Sequence, residues 1–498
     1  MNIKQAKEQI RNTLRAYLDR DALGNPRIPA VRQRPVLLIG PPGIGKTQIM
    51  EQIAAEENVG LVSYTITHHT RQSAIGLPFI EKRVYDGVER TVTEYTMSEI
   101  LGSVYAMMER TCIREGILFL DEINCVSETL APMMLQFLQC KTFGNQKLPE
   151  GWLIVAAGNP PEYNRSVRDF DVVTLDRVKR ITVEEDFAVW KEYARRRGLH
   201  GAVISYLDLK KENFYRIENS AEGMQFATAR GWEDLSEILY AYEALGIAPD
   251  TELAVQYIQL PAVARDFTNY YALYNKYRQV YHIDDILAGR APRLTRTEFA
   301  AAPFDEKLAV MGLLLSRLSE ASRETRRQDA LCAALYDTLA GVKARLPEPP
   351  ARTLPEILAL RRETLRRASD AGQEDREQKS LRQKEINSLE AYEKALAESS
   401  ADPEGQMELL RGLFAAETEK RETLAGETGR MFESAFAFLE EAVGPSQELV
   451  LFVTEITAGF DTSWFVGEFG CDAYFRHNRE LLFDETRQSI LDRLRENA

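Results

Sequence analysis

The sequence predicts an α/β layer built on a five-stranded parallel sheet over residues 1–185, an all-α domain over 186–290 and a second all-α region over 291–498. Three observations carry this. Short apolar runs alternate with amphipathic stretches through the first 185 residues, the pattern of parallel strands joined by crossover helices. Between the second and third runs stands a hairpin signal instead of a crossover. Beyond about residue 185 strand signals vanish and helical periodicity continues to the end.

Taken in order, the candidate strands are Val36-Leu37-Leu38-Ile39, Leu61-Val62-Ser63-Tyr64-Thr65, Ile117-Leu118-Phe119-Leu120, Leu153-Ile154-Val155-Ala156-Ala157 and Val178 through Val183. Near-continuous apolar runs are what strands buried on both faces require. The hairpin is predicted over 79–95, where two alternating stretches flank Asp86-Gly87, because a type I′ turn wants positive φ at both central positions. The Pro-rich run Leu346 to Ala351 cannot be helix interior. Residues 357–430 mix charge around Leu381, Ile386, Leu389, Tyr392 and Leu396, which predicts long amphipathic helices in a helical hairpin. The aromatic run Thr462 to Phe469 is expected to be packed.

At 498 residues the chain has room for about three structural units. Lysine and arginine number 62 and aspartate and glutamate 76, so 62 − 76 = −14, the wrong sign for a chain whose bulk grips nucleic acid or anionic membrane. The 44% hydrophobic and 28% charged content excludes wholesale disorder. Five cysteines without a CxxC pair read as free thiols in a reducing compartment, and five histidines without ligand spacing argue against zinc. The first residues lack the apolar core of a signal peptide, and no apolar run approaches the ~20 residues that span a bilayer. The expectation is a cytoplasmic protein without membrane insertion.

The run Gly40-Pro41-Pro42-Gly43-Ile44-Gly45-Lys46-Thr47 fits GxxxxGK[ST] and stands between an apolar strand and a helical stretch. In that context glycines let backbone N–H groups curl around phosphates, Lys46 reaches the β and γ phosphates and Thr47 offers a hydroxyl to Mg²⁺. The strand 117–120 ends in Asp121 and Glu122, which places two carboxylates at the edge where open α/β sheets bind ligands. Asp121 is suited to a Mg²⁺ shell and Glu122 to polarising an attacking water. The strand 153–157 ends at Gly158-Asn159-Pro160-Pro161, so Asn159 adds an uncharged amide beside the two acids. Leu175-Asp176-Arg177 precedes the last strand, and Arg180 follows close behind; a planar, permanently charged guanidinium suits a transferring phosphoryl group. Arg230, in Thr228-Ala229-Arg230-Gly231-Trp232, opens a helix in the second domain.

Together these segments resemble the MoxR-like branch of the AAA+ ATPases over roughly residues 30–290. The resemblance implies a P-loop AAA+ core with a helical lid, ATP and Mg²⁺ as ligands, and hydrolysis of ATP to ADP and phosphate at subunit interfaces. It makes Lys46 and Thr47 the Walker A residues, Asp121 and Glu122 Walker B, Asn159 sensor 1, Arg177 the arginine finger and Arg230 sensor 2. Arg180 remains a rival finger, since the sequence after Arg177 departs from the usual pattern. The resemblance further implies a homo-oligomer, usually a six-membered ring, a chaperone-like remodelling role, and a partner bearing a von Willebrand factor A-type domain. The hairpin at 79–95, with Phe79, then becomes a pore element.

Two other functions fit the same residues. A nucleotide-gated scaffold with slow turnover would use them for binding and leave the biological work to the C-terminal helices. A nucleic-acid-directed motor is disfavoured by the net charge and the lack of a basic, aromatic-interleaved module. The pair His68-His69 suggests a metal, but adjacent residues point apart on a strand or helix, and a nucleotide-proximal or pore-loop role fits better.

Overall fold

The computed structural model describes residues 1–68, 76–143, 146–163, 170, 172–220, 223–370 and 376–479. The chain divides into two compact units, residues 1–186 with 358–383, and residues 187–357 with 384–498.

In the first unit the strands are β1 (Val36–Ile39), β2 (Gly60–Thr65), β3 (Pro78–Tyr85), β4 (Val88–Tyr95), β5 (Gly116–Asp121), β6 (Thr142–Phe143), β7 (Gln146–Lys147), β8 (Trp152–Gly158) and β9 (Lys179–Thr182). Five of them form one parallel sheet in the order β2-β5-β8-β1-β9. Each predicted strand is present within one residue of its expected bounds. Its central strands β5, β8 and β1 are buried on both sides, and their residues sort by the period of two that a pleated strand imposes. Leu37, Ile39, Leu118, Leu120, Ile154 and Ala156 face one core with the helices Glu99–Thr111 and Ala131–Cys140. Val36, Leu38, Ile117, Phe119, Leu153 and Val155 face the other with the helices Ile3–Leu18 and Lys46–Glu57.

β3 and β4 form the expected antiparallel hairpin, closed by Asp86 at φ 50° and Gly87 at φ 76°. Both of its faces are exposed, and cross-strand ion pairs hold it: Lys82 binds Glu89 at 2.7 Å and Arg83 binds Glu94 at 3.2 Å, while Arg83 also binds Glu81 of its own strand at 2.9 Å.

Among its described residues the second unit is helical apart from one hairpin. Residues 186–290 were expected to be all-α, yet Arg216–Ser220 (β10) and Gly223–Ala227 (β11) pair as an antiparallel hairpin. Its apolar positions are only Ile217, Met224, Phe226 and Ala227, too few to announce a strand beside the helical text around it. One hydrophobic core runs from Trp190 to Tyr474. Two long helices, Phe304–Lys343 and Pro403–Val443, cross it antiparallel, about 60 Å each at the usual rise per residue. Their register is fixed by buried polar pairs: Thr325 with Thr428 at 3.1 Å, and Gln328 Nε2 donating to Glu417 Oε2 at 2.6 Å. Ile386, Leu389, Tyr392 and Leu396 are buried, as the amphipathic reading requires. Phe465 is fully buried and stacks on Phe432 with centroids 5.3 Å apart. Helix Pro350–Asp370 begins inside the Pro-rich run, with Pro350 at its start. Among the described residues no single helix is long and apolar enough to cross a membrane.

Candidate functional site

The site lies along the C-terminal edge of the parallel sheet, where β1, β5 and β8 end side by side. After β1 the chain turns at once into the helix Lys46–Glu57, and Gly43 (φ 74°) and Gly45 (φ 90°) take the left-handed backbone that this tight entry demands. Gly45 is the N-cap and supplies no side-chain acceptor, so the helix start presents backbone N–H groups and its positive dipole end to the loop. Lys46 lies inside the loop, 8% exposed. Its Nζ donates to Gly40 O at 2.7 Å, Pro41 O at 2.8 Å and Asn159 Oδ1 at 2.8 Å. The ammonium is thus held by two loop carbonyls and by the residue that follows β8.

Asp121 closes β5. Its Oδ2 accepts a 3.3 Å bond from Thr47 Oγ1, and its Oδ1 accepts from Glu122 N at 2.9 Å. The hydroxyl and carboxylate together form an oxygen pair of the chemistry a hard divalent cation takes. Glu122 sits at φ 57°, a left-handed backbone for a residue with a side chain, and starts a turn closed by Cys125 N donating to Glu122 O at 2.9 Å. The Glu122 carboxylate accepts a 2.9 Å bond from Thr67 Oγ1, in the 3₁₀ turn after β2. Burial pushes the Cys125 thiol up, and the charges of Glu122 and Asp121 push it further. That thiol is therefore neutral at physiological pH and a poor nucleophile.

The structure brings Gly40 to Thr47, Asp121, Glu122 and Asn159 into one constellation. Among the described residues Arg177 and Arg180 take no part in its hydrogen bonds. Arg177 is exposed, and its guanidinium donates to the Gln139 side chain of the helix Ala131–Cys140. Arg180 is exposed on β9. Arg230 belongs to the second unit, exposed on the first turn of the helix Ala229–Leu245, whose N-cap Thr228 accepts from Gly231 N at 3.3 Å. One turn on, burial pushes the Asp234 carboxyl up while Arg230 pulls it down. His69 to Arg71 lie outside the described residues.

Two residues at the site escaped the sequence reading. Thr67 follows its strand as an ordinary threonine and carries no signal of its own. Asn124 is 5% exposed and donates through Nδ2 to Asn159 O at 2.7 Å. A buried polar residue three positions after Asp121 was the available cue.

The order of these elements along the chain has a counterpart among known families. Residues 35–178 match the AAA domain, dynein-related subfamily. Members of that family are ATPases, and the five-stranded parallel α/β core followed by helices is the AAA+ P-loop fold. The matched segment runs from the residue before β1 to the residue before β9 and spans Gly40 to Thr47, Asp121, Glu122, Asn159 and Arg177. No curated protein matches the sequence. Among solved structures, a candidate ATPase of Cytophaga hutchinsonii is similar at 16% identity over 36% of this chain and 46% of that one, with TM-score 0.23. The FIGL-1 AAA domain in complex with ADP gives 14% identity over 47% of this chain and 69% of that one, with TM-score 0.29. A RuvB variant of Thermotoga maritima gives 15% over 60% and 75%, with TM-score 0.27. The chain spans less than half the length of the first of these.

Proposed function

We propose that the chain is an ATP-hydrolysing AAA+ ring ATPase of MoxR type that remodels or matures partner protein complexes. The observation that carries this reading is the contact of Lys46 with Asn159, at 2.8 Å, beside the Thr47 and Asp121 pair at 3.3 Å. A phosphate-loop lysine, a carboxylate pair and a polar strand end converge where the terminal phosphates of a nucleotide held by the loop would lie.

On ATP binding, phosphate oxygens replace the Gly40 and Pro41 carbonyls as acceptors for Lys46, a charge-assisted exchange that favours the anion. Backbone N–H groups of the loop and the helix start cradle the polyphosphate. Thr47 and Asp121 would hold Mg²⁺, which when bound neutralises charge on the phosphate oxygens. Glu122 accepts a proton from the water that attacks the γ phosphorus; the P–O bond to the β phosphate breaks, and ADP and inorganic phosphate leave. Thr67 orients the Glu122 carboxylate, and Asn159 donates to the γ phosphate or the water without adding negative charge. Arg177 reaches the γ phosphate of a neighbouring copy, with Arg180 as its rival, and Arg230 takes the sensor 2 role that the resemblance implies. Such an arrangement needs a homo-oligomer, taken to be a six-membered ring acting on a partner with a von Willebrand factor A-type domain in the cytoplasm.

Subunit mixing tests the shared site. Arg177→Ala and Lys46→Ala, each inactive alone, are expected to restore phosphate release when mixed, since an intact arginine then faces an intact loop. Turnover by Arg177→Ala alone, with Arg180→Ala inactive alone and restored by mixing with Lys46→Ala, moves the finger to Arg180. The partner role is tested by comparing proteins retained by Glu122→Gln and by Lys46→Ala; the same set on both variants, whatever the nucleotide, favours the scaffold function.

A further inference from the structure

We propose that Asn124 is a positioning residue that clamps Asn159 to the Glu122 turn, so that the water-activating carboxylate and the amide facing the terminal phosphate are set as one unit. The inference rests on the ATPase reading above. It starts from the two strand ends. β5 is followed by the turn Glu122 to Cys125, which is tied to β8 by Ile123 N donating to Ala157 O at 2.9 Å. β8 is followed by Asn159 and then by Pro160 and Pro161, which have no N–H with which to anchor the chain. The Asn159 carbonyl is therefore where this exit can be held, and Asn124 Nδ2 holds it at 2.7 Å.

The rest of the amide shows how much the local structure gives up for that bond. Asn124 is 5% exposed, and its Oδ1 has no hydrogen-bond partner among the described residues. Turned over, the amide would set Oδ1 against the Asn159 carbonyl oxygen, so the donor contact fixes its orientation. A side chain present only to fill space would avoid a buried unpaired acceptor. Gly158 is fitted to the same purpose: a Cβ there would meet Asn124 Oδ1 at 2.5 Å and Cγ at 2.7 Å. The amide occupies the space a Cβ at this position would take, and only a glycine leaves it that space. Asn159 in turn accepts from Lys46. A continuous path thus runs from the Glu122 turn through Asn124 and Asn159 to Lys46, and each link is a hydrogen bond or a chain neighbour.

Asn124→Ala tests the clamp, with phosphate release and binding of a fluorescent ATP analogue measured on the full chain. Turnover is expected to fall at least about tenfold while nucleotide affinity stays within about threefold, the signature of a group that acts in the reaction step. If Asn124 acts through Asn159, the double variant Asn124→Ala/Asn159→Ala is no slower than Asn159→Ala alone, within about twofold. Gly158→Ala, which displaces the amide without removing it, is expected to reproduce the loss. Wild-type turnover in Asn124→Ala, or losses that multiply in the double variant, overturn the proposal. Should Asn124→Ala melt before it can be assayed, Asn124→Ser serves in its place. If the wild-type chain releases no phosphate, the ATPase reading fails, and the clamp is judged separately by amide exchange over residues 157–163. Faster exchange in the Asn124 variant supports the clamp, and unchanged exchange overturns it.

Discussion

The first unit holds two β structures built on opposite principles. The central strands β5, β8 and β1 of the parallel sheet are closed to solvent on both faces, and each has backbone neighbours on both sides. The hairpin β3–β4 has one strand for a neighbour and solvent on both faces, with Ile80 75% and Val84 68% exposed. Burial orders the sheet; turn geometry and cross-strand ion pairs order the hairpin. The chemistry follows the same division. Asp121 and Asn159 are placed by strands that cannot shift without disturbing a packed core, the positional precision that the proposed phosphoryl transfer needs. The hairpin needs no such precision, and its exposed apolar tip suits contact with something outside the chain.

The contrast is sharpest for a matched pair of aromatic truncations. Phe119→Ala, fully buried in β5, is expected to cost about 3–5 kcal/mol of unfolding free energy, read by denaturant titration. Phe79→Ala, 45% exposed in β3, is expected to change it by no more than about 0.5 kcal/mol. A large loss at Phe79 would mean that the hairpin is part of the folding core after all.

Lys141 lies between these extremes, buried yet ionisable. Burial pushes its ammonium down to about 8, with Lys147 adding to the effect, and its Nζ donates to Gln33 Oε1 over 3.4 Å. Because the folded-state pKa is below the unfolded one, the unfolded chain binds more protons between about pH 8 and 10.5, and stability rises with pH across that window. Below it, the buried charge is a fixed cost. Lys141→Met is therefore expected to raise stability at pH 7 by about 2 kcal/mol and to flatten the rise between pH 8 and 10.5. Equal stability of the two proteins at pH 7 would show that the ammonium is solvated.

Gly87→Ala probes the hairpin by itself. At φ 76° the added Cβ is strained, and the turn is expected to lose about 1 kcal/mol. The expected readout is faster amide exchange over 78–95 with an unchanged global melt. A lowered melting temperature would couple the hairpin to the sheet.

The sequence made the sheet legible because strands buried on both faces must be apolar throughout, and their polar exits then stand out as Asp121 and Asn159. Asp86-Gly87 was legible because a two-residue turn has few chemical solutions. Asn124 and Thr67 were not, since each matters through a partner remote in sequence: Asn124 through Asn159 and Thr67 through Glu122. β10–β11 was missed for a related reason, as a short hairpin with four apolar side chains carries less pattern than the helices beside it. In the second unit helical periodicity was readable, but which helices share a core depends on facing surfaces such as Phe432 on Phe465, and periodicity does not name a helix's partner.

The central claim is that the three strand ends form a working hydrolytic site, and phosphate release from ATP tests it most directly. The wild-type chain, Glu122→Gln and Lys46→Ala would be assayed with Mg²⁺ alongside nucleotide binding. The account predicts turnover by the wild type, a loss of about a hundredfold in Glu122→Gln with nucleotide still bound, and loss of both binding and turnover in Lys46→Ala. Undiminished hydrolysis by Glu122→Gln, or wild-type affinity in Lys46→Ala, would contradict it.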